Sequence, residues 1–480
     1  MKRKPLILTL ATAAFAGVVL VSSCKKEGQP IADRSVSATQ IIPSNPVLSG
    51  VLGTGHAIKD TIRLTSSVAW HLSGLVYVDS SDVLIIDAGA TIRGDKSTST
   101  TVAGGGLVVT RGAKVLAQGT ATSPIIFTSN QTTPASGDWS GIILLGNAST
   151  NHSGRVQVEG IPSNPPADAT FGGTVGTNDN DNSGILKYVR IEYAGFELST
   201  DNEINGLTLA GVGRGTTLDF IEVYKSKDDA FEFFGGTVNA SHLISVDALD
   251  DMFDTDNGYR GTIRYALGLA DTTRADKSQS NGFESDNNST GTTATPITHP
   301  VYRYITIVGL PNQARASITN GQPSGTGLYG RGAQLRRNAE FDIDSAIYLG
   351  YRYGISLDSA LGTTRDKFYA GTSVLKHSFV HAYVKPFVTE SAGNPVTNVG
   401  FNAAANQFTI FATSATNGNT GFTTANPNAN IGLANPFVRP ATATSAANWI
   451  PGALNASRTV GAFPGRVDWT SGSSGWLRWL

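Results

Sequence analysis

KDDAFEFF from Lys227, LDDMFDTD from Leu249 and QSNGFESD from Gln279 superimpose without a gap. Phe231, Phe253 and Phe283 share one column, and Glu232, Asp254 and Glu284 share the next. Asp256 and Asp286 follow two residues later, while Asp228, Asp229, Asp250 and Asp251 precede the phenylalanines. If these stretches stack as neighbouring strands, equivalent carboxylates lie about 4.8 Å apart. Like charges at that distance repel by about 0.9 kcal/mol in water and about 3.5 kcal/mol at an effective dielectric of 20. Solvation, protonation or a bound cation would relieve such a column, and each remedy corresponds to a different role. Clustered hard oxygens suit Ca²⁺, which makes Asp228, Asp229, Glu232, Asp250, Asp251, Asp254, Asp256, Glu284 and Asp286 candidate ligands. Paired acids on adjacent coils could instead be the general acid and base of glycosidic cleavage, at roughly 6.5–9.5 Å for inversion. Asp228, Asp229, Asp250 and Asp251 are the candidates for that chemistry. The third possibility is a solvated acidic edge that keeps the strands apart from other chains. Lys225, Lys227, Arg260 and Arg264 are close enough in sequence to offset part of the charge.

A second candidate is NDNDNSG, in which Asp179, Asp181, Ser183 and Gly184 give the D-x-D-x-S-G opening of a calcium loop. Its twelfth position is Arg190 rather than Glu, so it is not an EF-hand, and the same residues also describe an Asx-turn loop. GVGRGTT has neither the Lys nor the following helix of a phosphate-binding loop, and nothing in the chain implies an organic cofactor.

The elements that must position these acids are short. VLIIDAGATIRGD, GLVVTRGAKVLAQG, ILKYVRIEYAG and GTTLDFIEVYKS alternate apolar and polar residues and break at Gly, and no stretch after Val21 sustains a helical period. Phe231 to Phe253 is 22 residues and Phe253 to Phe283 is 30, the excess matching the polar insertion DTTRADKSQS. Repeats of that size built from two or three strands are coils of a parallel β-helix, whereas a propeller blade needs about 40–45 residues. The expected fold is therefore all-β, a single-domain solenoid with Phe231, Phe253 and Phe283 stacked inside. Three tryptophans, Trp469, Trp476 and Trp479, crowd the end of the chain and suggest a C-terminal cap over the solenoid's open end.

GTATSPIIFTSN, GDWSGIILLGNA, INGLTLAGVGRGTTLDFIEVYKSKDDAFEFFGGTVNASHL, LDDMFDTDNGY and the terminal VGAFPGRVDWTSGSSGW resemble a family of secreted lipoproteins from Bacteroidota and some marine bacteria. The similarity runs from about Val51 to the C-terminus and implies a right-handed parallel β-helix of the pectate-lyase-like type. That family has no established reaction. KDDAFEF also resembles the paired-Asp step of β-helical polygalacturonases, but their Gly-His-Gly and Arg-Ile-Lys steps have no counterpart. His71, His242 and His299 stand alone.

MKRKP followed by LILTLATAAFAGVVL and VSSC has the charged and apolar regions of an export signal. It ends at Cys24, the only Cys of 480 residues, and resembles a lipobox with Val21 in place of the commoner Leu. The resemblance implies cleavage before Cys24 and acylation there, anchoring the chain to a membrane surface. The expected plan is a signal peptide over 1–23, an acylated Cys and tether over 24–48, the β-helix over 49–440 and a cap over 441–480. Loss of Lys2, Arg3 and Lys4 takes the formal charge from −1 to −4, and the absence of a basic run excludes nucleic acid as partner. The sequence thus points to a lipid-anchored outer-membrane β-helix binding a glycan or other surface polymer. A lyase or hydrolase, or a structural or adhesive protein, are its alternatives.

Overall fold

The computed structural model describes residues 40–480 except 55–58, 100–101, 174–176, 200–201, 320–326, 392–393, 397–406, 429–430, 443–444, 453–459 and 472–474. Cys24 and the signal segment lie outside the described residues. Among the described residues, twenty-six strands form one hydrogen-bonded system in which every pairing is parallel except the short return of Asn394–Val396 onto Phe379–Ser391. Parallel pairing between strands about one coil apart in sequence is what a β-helix requires.

A typical coil has one short strand and one longer strand that bends. Leu207–Ala210, Phe231–Phe234, Phe253–Asp256 and Phe283–Ser285 are successive short strands. Thr217–Tyr224, Ala240–Val246, Thr262–Leu269 and Val301–Val308 are the longer ones between and after them. Bends fall at Phe220, His242, Tyr265 and Tyr304, each with φ between 53° and 59°. Bulky residues rarely adopt this left-handed conformation. Here each ring stacks on the next, with centroids 4.2 Å apart for Phe220–His242, 5.0 Å for His242–Tyr265 and 5.5 Å for Tyr265–Tyr304.

Registration is uninterrupted along the interior. Val76, Leu107, Ile142, Leu207, Phe231, Phe253, Phe283, Ala333, Ile355 and Phe387 form one inward file. Phe231, Phe253 and Phe283 are fully buried, their rings stacked at 5.3 and 4.8 Å. Thr255 and Ser285 lie in the next inward file, and the Tyr302 hydroxyl meets Thr255 Oγ1 at 2.8 Å and Ser285 Oγ at 2.9 Å, so these three hydroxyls satisfy one another.

Three boundaries differ from the sequence expectation. Parallel pairing begins at Gln40–Ile41, inside the stretch read as tether, and Val47–Leu52 straddles its expected end, with Leu48 and Leu52 turned inward. Short helices occur, and one of them, Gln407–Ala412, packs on Phe379–Ser391 with Phe408 fully buried. The C-terminal segment is not laid over the end of the solenoid. It runs along a flank in the reverse order of the coils, from Gly461 at Ser345 and Ala462 at Thr306 to Trp469 at His242. It continues to Trp476 at Tyr188 and Phe220, and to Arg478 at Glu222 and Glu192. Trp449, Trp476 and Trp479 are buried on this flank among Tyr224, Val246 and Leu269. The aromatic bends offer a continuous apolar strip along the flank, and the strap covers it. Among the described residues, no helix is long and apolar enough to cross a membrane.

Candidate functional site

The file beside the buried phenylalanines points outward. It reads Tyr77, Val108, Ile143, Thr208, Glu232, Asp254, Glu284, Gln334, Ser356 and Val388. Alternation along each strand dictates this direction, and the three acids occupy adjacent coils as expected. They do not face open solvent. The described residues of 146–183 and 193–204 are inserted around the strand Gly184–Glu192, and they fold back over this face. Val158, Ile161, Phe171 and Ile204 cover Tyr77, Val108 and Ile143, so the roof begins on the apolar part of the file. Under its continuation, Glu232 and Asp251 are 5% exposed, Asp229 8% and Asp286 4%, and the other candidate acids are half-buried. Solvation, one of the three remedies for stacked charge, is thereby restricted.

The carboxylates converge. One oxygen from each of Asp228, Asp229 and Asp250 lies within 4.8 Å of the others, and the same holds for Asp229, Glu232 and Asp254. Burial first, then neighbouring acids, push Asp228, Asp229, Glu232, Asp251, Asp254 and Asp256 well above the usual carboxylate range. Asp250 rises to about 7, through burial and then Asp276. Glu284 also rises through burial, although Arg336 opposes the shift.

Positive charge comes from residues the sequence reading did not name. Arg336 pairs with Glu284 and, at 2.9 Å, with Asp286, and Arg337 reaches Asp286 at 2.7 Å. Of the cations expected to compensate, Lys227 lines the cleft of Asp228 and Asp250 but pairs there with Glu197 at 2.7 Å, and Arg260 pairs with Asp179 at 3.1 Å. Lys225 lies over the Tyr224 ring and Arg264 over that of Tyr265. The two arginines sit at one end of the file, next to Glu284, and leave its middle uncompensated.

Two residues before the phenylalanine file runs a second ladder. Asp251 N–H donates to Asp229 Oδ1 at 2.8 Å, Asn281 N–H donates to Asp251 Oδ1, and Arg331 N–H donates to Asn281 Oδ1 at 2.8 Å. Each Asx oxygen thus satisfies the backbone of the next coil. At Asn205, one coil before Asp229, the pattern breaks. Its amide N–H₂ turns to Glu232 instead, and its Oδ1 is buried without a partner in a residue that is 1% exposed. Asp254 Oδ1 is likewise buried without a donor. Such orphaned acceptors cost free energy unless a cation or proton meets them. Asn205 had a signal in the sequence: EINGL aligns with KDDAF as the preceding coil.

Asp228 and Asp250 reach a cleft at the margin of the roof, lined also by Glu203, Asp276, Lys277 and Ser278. The Ser278 hydroxyl donates to Asp250. The structure therefore divides the four candidate catalytic acids: Asp228 and Asp250 meet the cleft, whereas Asp229 and Asp251 are tied into the ladder.

The NDNDNSG loop is arranged differently. Asp179 Oδ1 accepts from Ser149 N–H at 3.0 Å and its hydroxyl at 2.7 Å, and Asp181 Oδ2 accepts from Asn147 N–H at 2.9 Å. With Arg260 on Asp179, these acids fasten the roof segment, and Ser183 is buried with its N–H on Thr216 Oγ1. The Asx-turn alternative describes this geometry better than a calcium loop. The isolated histidines face away from the acids: His242 bonds Asp219 at 2.7 Å, and His299 lies between Glu340 at 3.1 Å and Asp342 at 3.2 Å. Five of the six tryptophans are buried and form no stacking platform beside the cleft.

The match to known proteins agrees with this architecture. The family model described as a pectate-lyase like beta helix domain matches residues 55–430. The chain belongs to that family. This pectate-lyase-like β-helix has no significant match among curated proteins or among solved structures.

The raised carboxyls set a pH dependence. A folded state whose acids titrate high binds more protons than the unfolded chain, so stability rises as pH falls through that window. The window extends from about 7, where Asp250 titrates, down toward the ordinary carboxylate value of 3.8. His152 and His381, held low by burial, act in the opposite direction but are outnumbered. In chelator, the melting temperature at about pH 5.5 is expected to exceed that at about pH 8. A cation-free chain that loses stability on mild acidification contradicts this account.

Proposed function

We propose that this chain is a cell-envelope β-helix, right-handed and lipid-anchored at Cys24 in the outer membrane, whose acidic files take up Ca²⁺ and whose cleft binds an envelope polysaccharide. The observation that carries the reading is the convergence of buried carboxylates around Asp229, with the oxygens of Asp254 and Asn205 left without donors. Solvation is restricted and the arginines stand at one end, so protonation or a cation must relieve the stack, and this set of hard oxygens suits a divalent cation. The lipobox-like VSSC and the resemblance to Bacteroidota lipoproteins support the location. With the tryptophans buried, the cleft recognises a polymer through hydroxyls and charge rather than through ring stacking.

A second reading, cleavage of the polymer, has one observation in its favour. Asp228 and Asp250 share the cleft, and Asp250 titrates near 7, in the range useful for a general acid. Both readings are tested by affinity electrophoresis of the soluble domain through gels containing acidic or neutral polysaccharides, with Ca²⁺ or with EDTA. Retardation that requires Ca²⁺ and yields no new reducing ends or unsaturated products is the expected result. Polymer shortening would select the enzyme. Mobility and melting curves identical in Ca²⁺ and EDTA would sink the cation reading and leave a structural or adhesive protein.

A further inference from the structure

We propose that the break in the ring ladder at Ser345, with Arg303 and Arg264 beside it, is a binding site for a phosphorylated sugar. The sugar ring enters between Tyr304 and His377, and its phosphate monoester meets the two guanidiniums. This rests on the glycan reading above and goes beyond it, naming the charged group and a second contact surface on the aromatic flank rather than at the acidic cleft.

Each bend of the flank carries one member of the ladder. Arg303 pairs with Asp344 and Asp344 with Lys376, so Ser345 and His377 follow Tyr304 at the next two bends, with φ of 61° and 52°. The Ser345 side chain is too short to continue the stack, and among the described residues Tyr304 has a ring on one face only, that of Tyr265. His377 repeats the arrangement of His242. His242 Nδ1 meets Asp219 Oδ1 at 2.7 Å, and its ring stacks on Phe220, the residue after that Asp. His377 Nδ1 meets Asp344 Oδ1 at 2.9 Å, and the residue after Asp344 is Ser345. The His377 side chain, 55% exposed, is thus held over a position with no ring beneath it. Two coil spacings, about 9.6 Å, separate Tyr304 from His377, which is room for one ring in contact with both. The negative face of an aromatic ring attracts the C–H groups of a sugar. The strap leaves this place unfilled: Trp469 lies against His242 and Phe220, and the residue donating its N–H to Ser345 O at 2.8 Å is Gly461, which has no side chain.

Charge supplies the independent observation. Arg264 and Arg303 are exposed and directly in register on adjacent coils, about 4.8 Å apart along the file. Like charges set opposite one another are destabilising, and among the described residues neither arginine has an ion pair. The acids of the same file are engaged. Asp219 holds His242 and, at 3.5 Å, Lys187. Asp344, on the side of Arg303 away from Arg264, meets His377 and accepts from the Ser345 hydroxyl at 2.9 Å. The Arg264 guanidinium lies 5.5 Å from the centre of the Tyr265 ring, which keeps its charge beside the ladder. A phosphate monoester carries close to two negative charges at neutral pH and three strong acceptor oxygens. One such group balances both guanidiniums, whose planar forks suit phosphate, whereas a carboxylate balances one.

The test is titration calorimetry of the intact soluble domain at neutral pH in EDTA, with glucose 6-phosphate, glucose, inorganic phosphate and glucuronate as probes. Glucose 6-phosphate is expected to bind at least ten-fold more tightly than each of the other three. Ser345→Phe continues the ladder in the conformation that Phe220 already adopts. It is expected to keep or raise the melting temperature and to weaken glucose 6-phosphate at least ten-fold, with inorganic phosphate unchanged. Tyr304→Ala is expected to do the same to the two ligands, and it decides the ring position if Ser345→Phe fails to fold. Arg303→Gln is expected to weaken both phosphates at least ten-fold. Equal affinity for glucose 6-phosphate and inorganic phosphate overturns the ring slot, and equal affinity for glucuronate overturns the choice of phosphate. No binding of any probe, or folded variants that bind like the unmodified chain, overturns the site. A chain that binds glucose 6-phosphate but is not retarded in polysaccharide gels fails the glycan reading alone, and one retarded by polymer yet blind to glucose 6-phosphate fails this site alone.

Discussion

Asp254→Asn is expected to stabilise the protein in chelator and destabilise it in Ca²⁺. Without a cation, Asp254 is an acid pushed well above its ordinary range by burial and by Glu284, Asp256 and Asp286. Converting it to the amide removes a charge from that stack at nearly constant volume, so the melting temperature rises. With Ca²⁺ present, the same change removes a ligand. An ion at a thousand times its dissociation constant stabilises the native state by about 4 kcal/mol, and a hundred-fold loss of affinity takes away about 2.7 kcal/mol of that. The expected result is a crossing: higher melting in EDTA and lower melting, by several degrees, in saturating Ca²⁺. A purely structural acid shifts in the same direction under both conditions, and that outcome would reject a cation at Asp254.

Truncation of Trp476 tests the C-terminal strap. The Trp476 ring is fully buried against Tyr188 at 5.7 Å and Phe220 at 5.8 Å. Trp476→Ala is expected to cost about 3–5 kcal/mol, the usual range for emptying a buried tryptophan site. The neighbouring latch loosens with it. Arg478 gives its N–H to both oxygens of the buried Glu222 at 3.0 and 2.9 Å, while its guanidinium reaches Glu192 at 3.1 Å and lies over Tyr224. Where protection is lost distinguishes a strap from a cap. Hydrogen exchange in Trp476→Ala should accelerate in Gly184–Glu192, Thr217–Tyr224 and Ala240–Val246, coils near the middle of the solenoid. Loss confined to Val374–Lys376 and Thr420–Phe422, the last coils, would instead favour a cap.

The coil register was legible because it is written in single residues. Phe231, Phe253 and Phe283 recur at the coil spacing, and the structure pairs them directly. Alternation then placed Glu232, Asp254 and Glu284 on the opposite side of each strand, which also holds. Their burial was not legible. It depends on two insertions whose apolar residues, Val158, Ile161, Phe171 and Ile204, have no periodicity and find their place only on a formed solenoid. The compensating Arg336 lies 52 residues from Glu284, beyond any local pairing rule. The strap escaped for a related reason. A cluster of terminal tryptophans announces a large apolar contact but carries no information on which surface receives it. The exposed flank became visible only once five left-handed bends, at Tyr188, Phe220, His242, Tyr265 and Tyr304, were seen to place their rings in line.

The reversed course of the strap ties Ala462 and Arg478 to coils that lie 156 and 286 residues earlier in the chain. As the chain folds, the winding can propagate from its first turns, yet the aromatic strip stays bare until the strap docks. A chain whose strap has not yet docked would therefore be an adhesive particle, recognisable to chaperones and proteases by that strip.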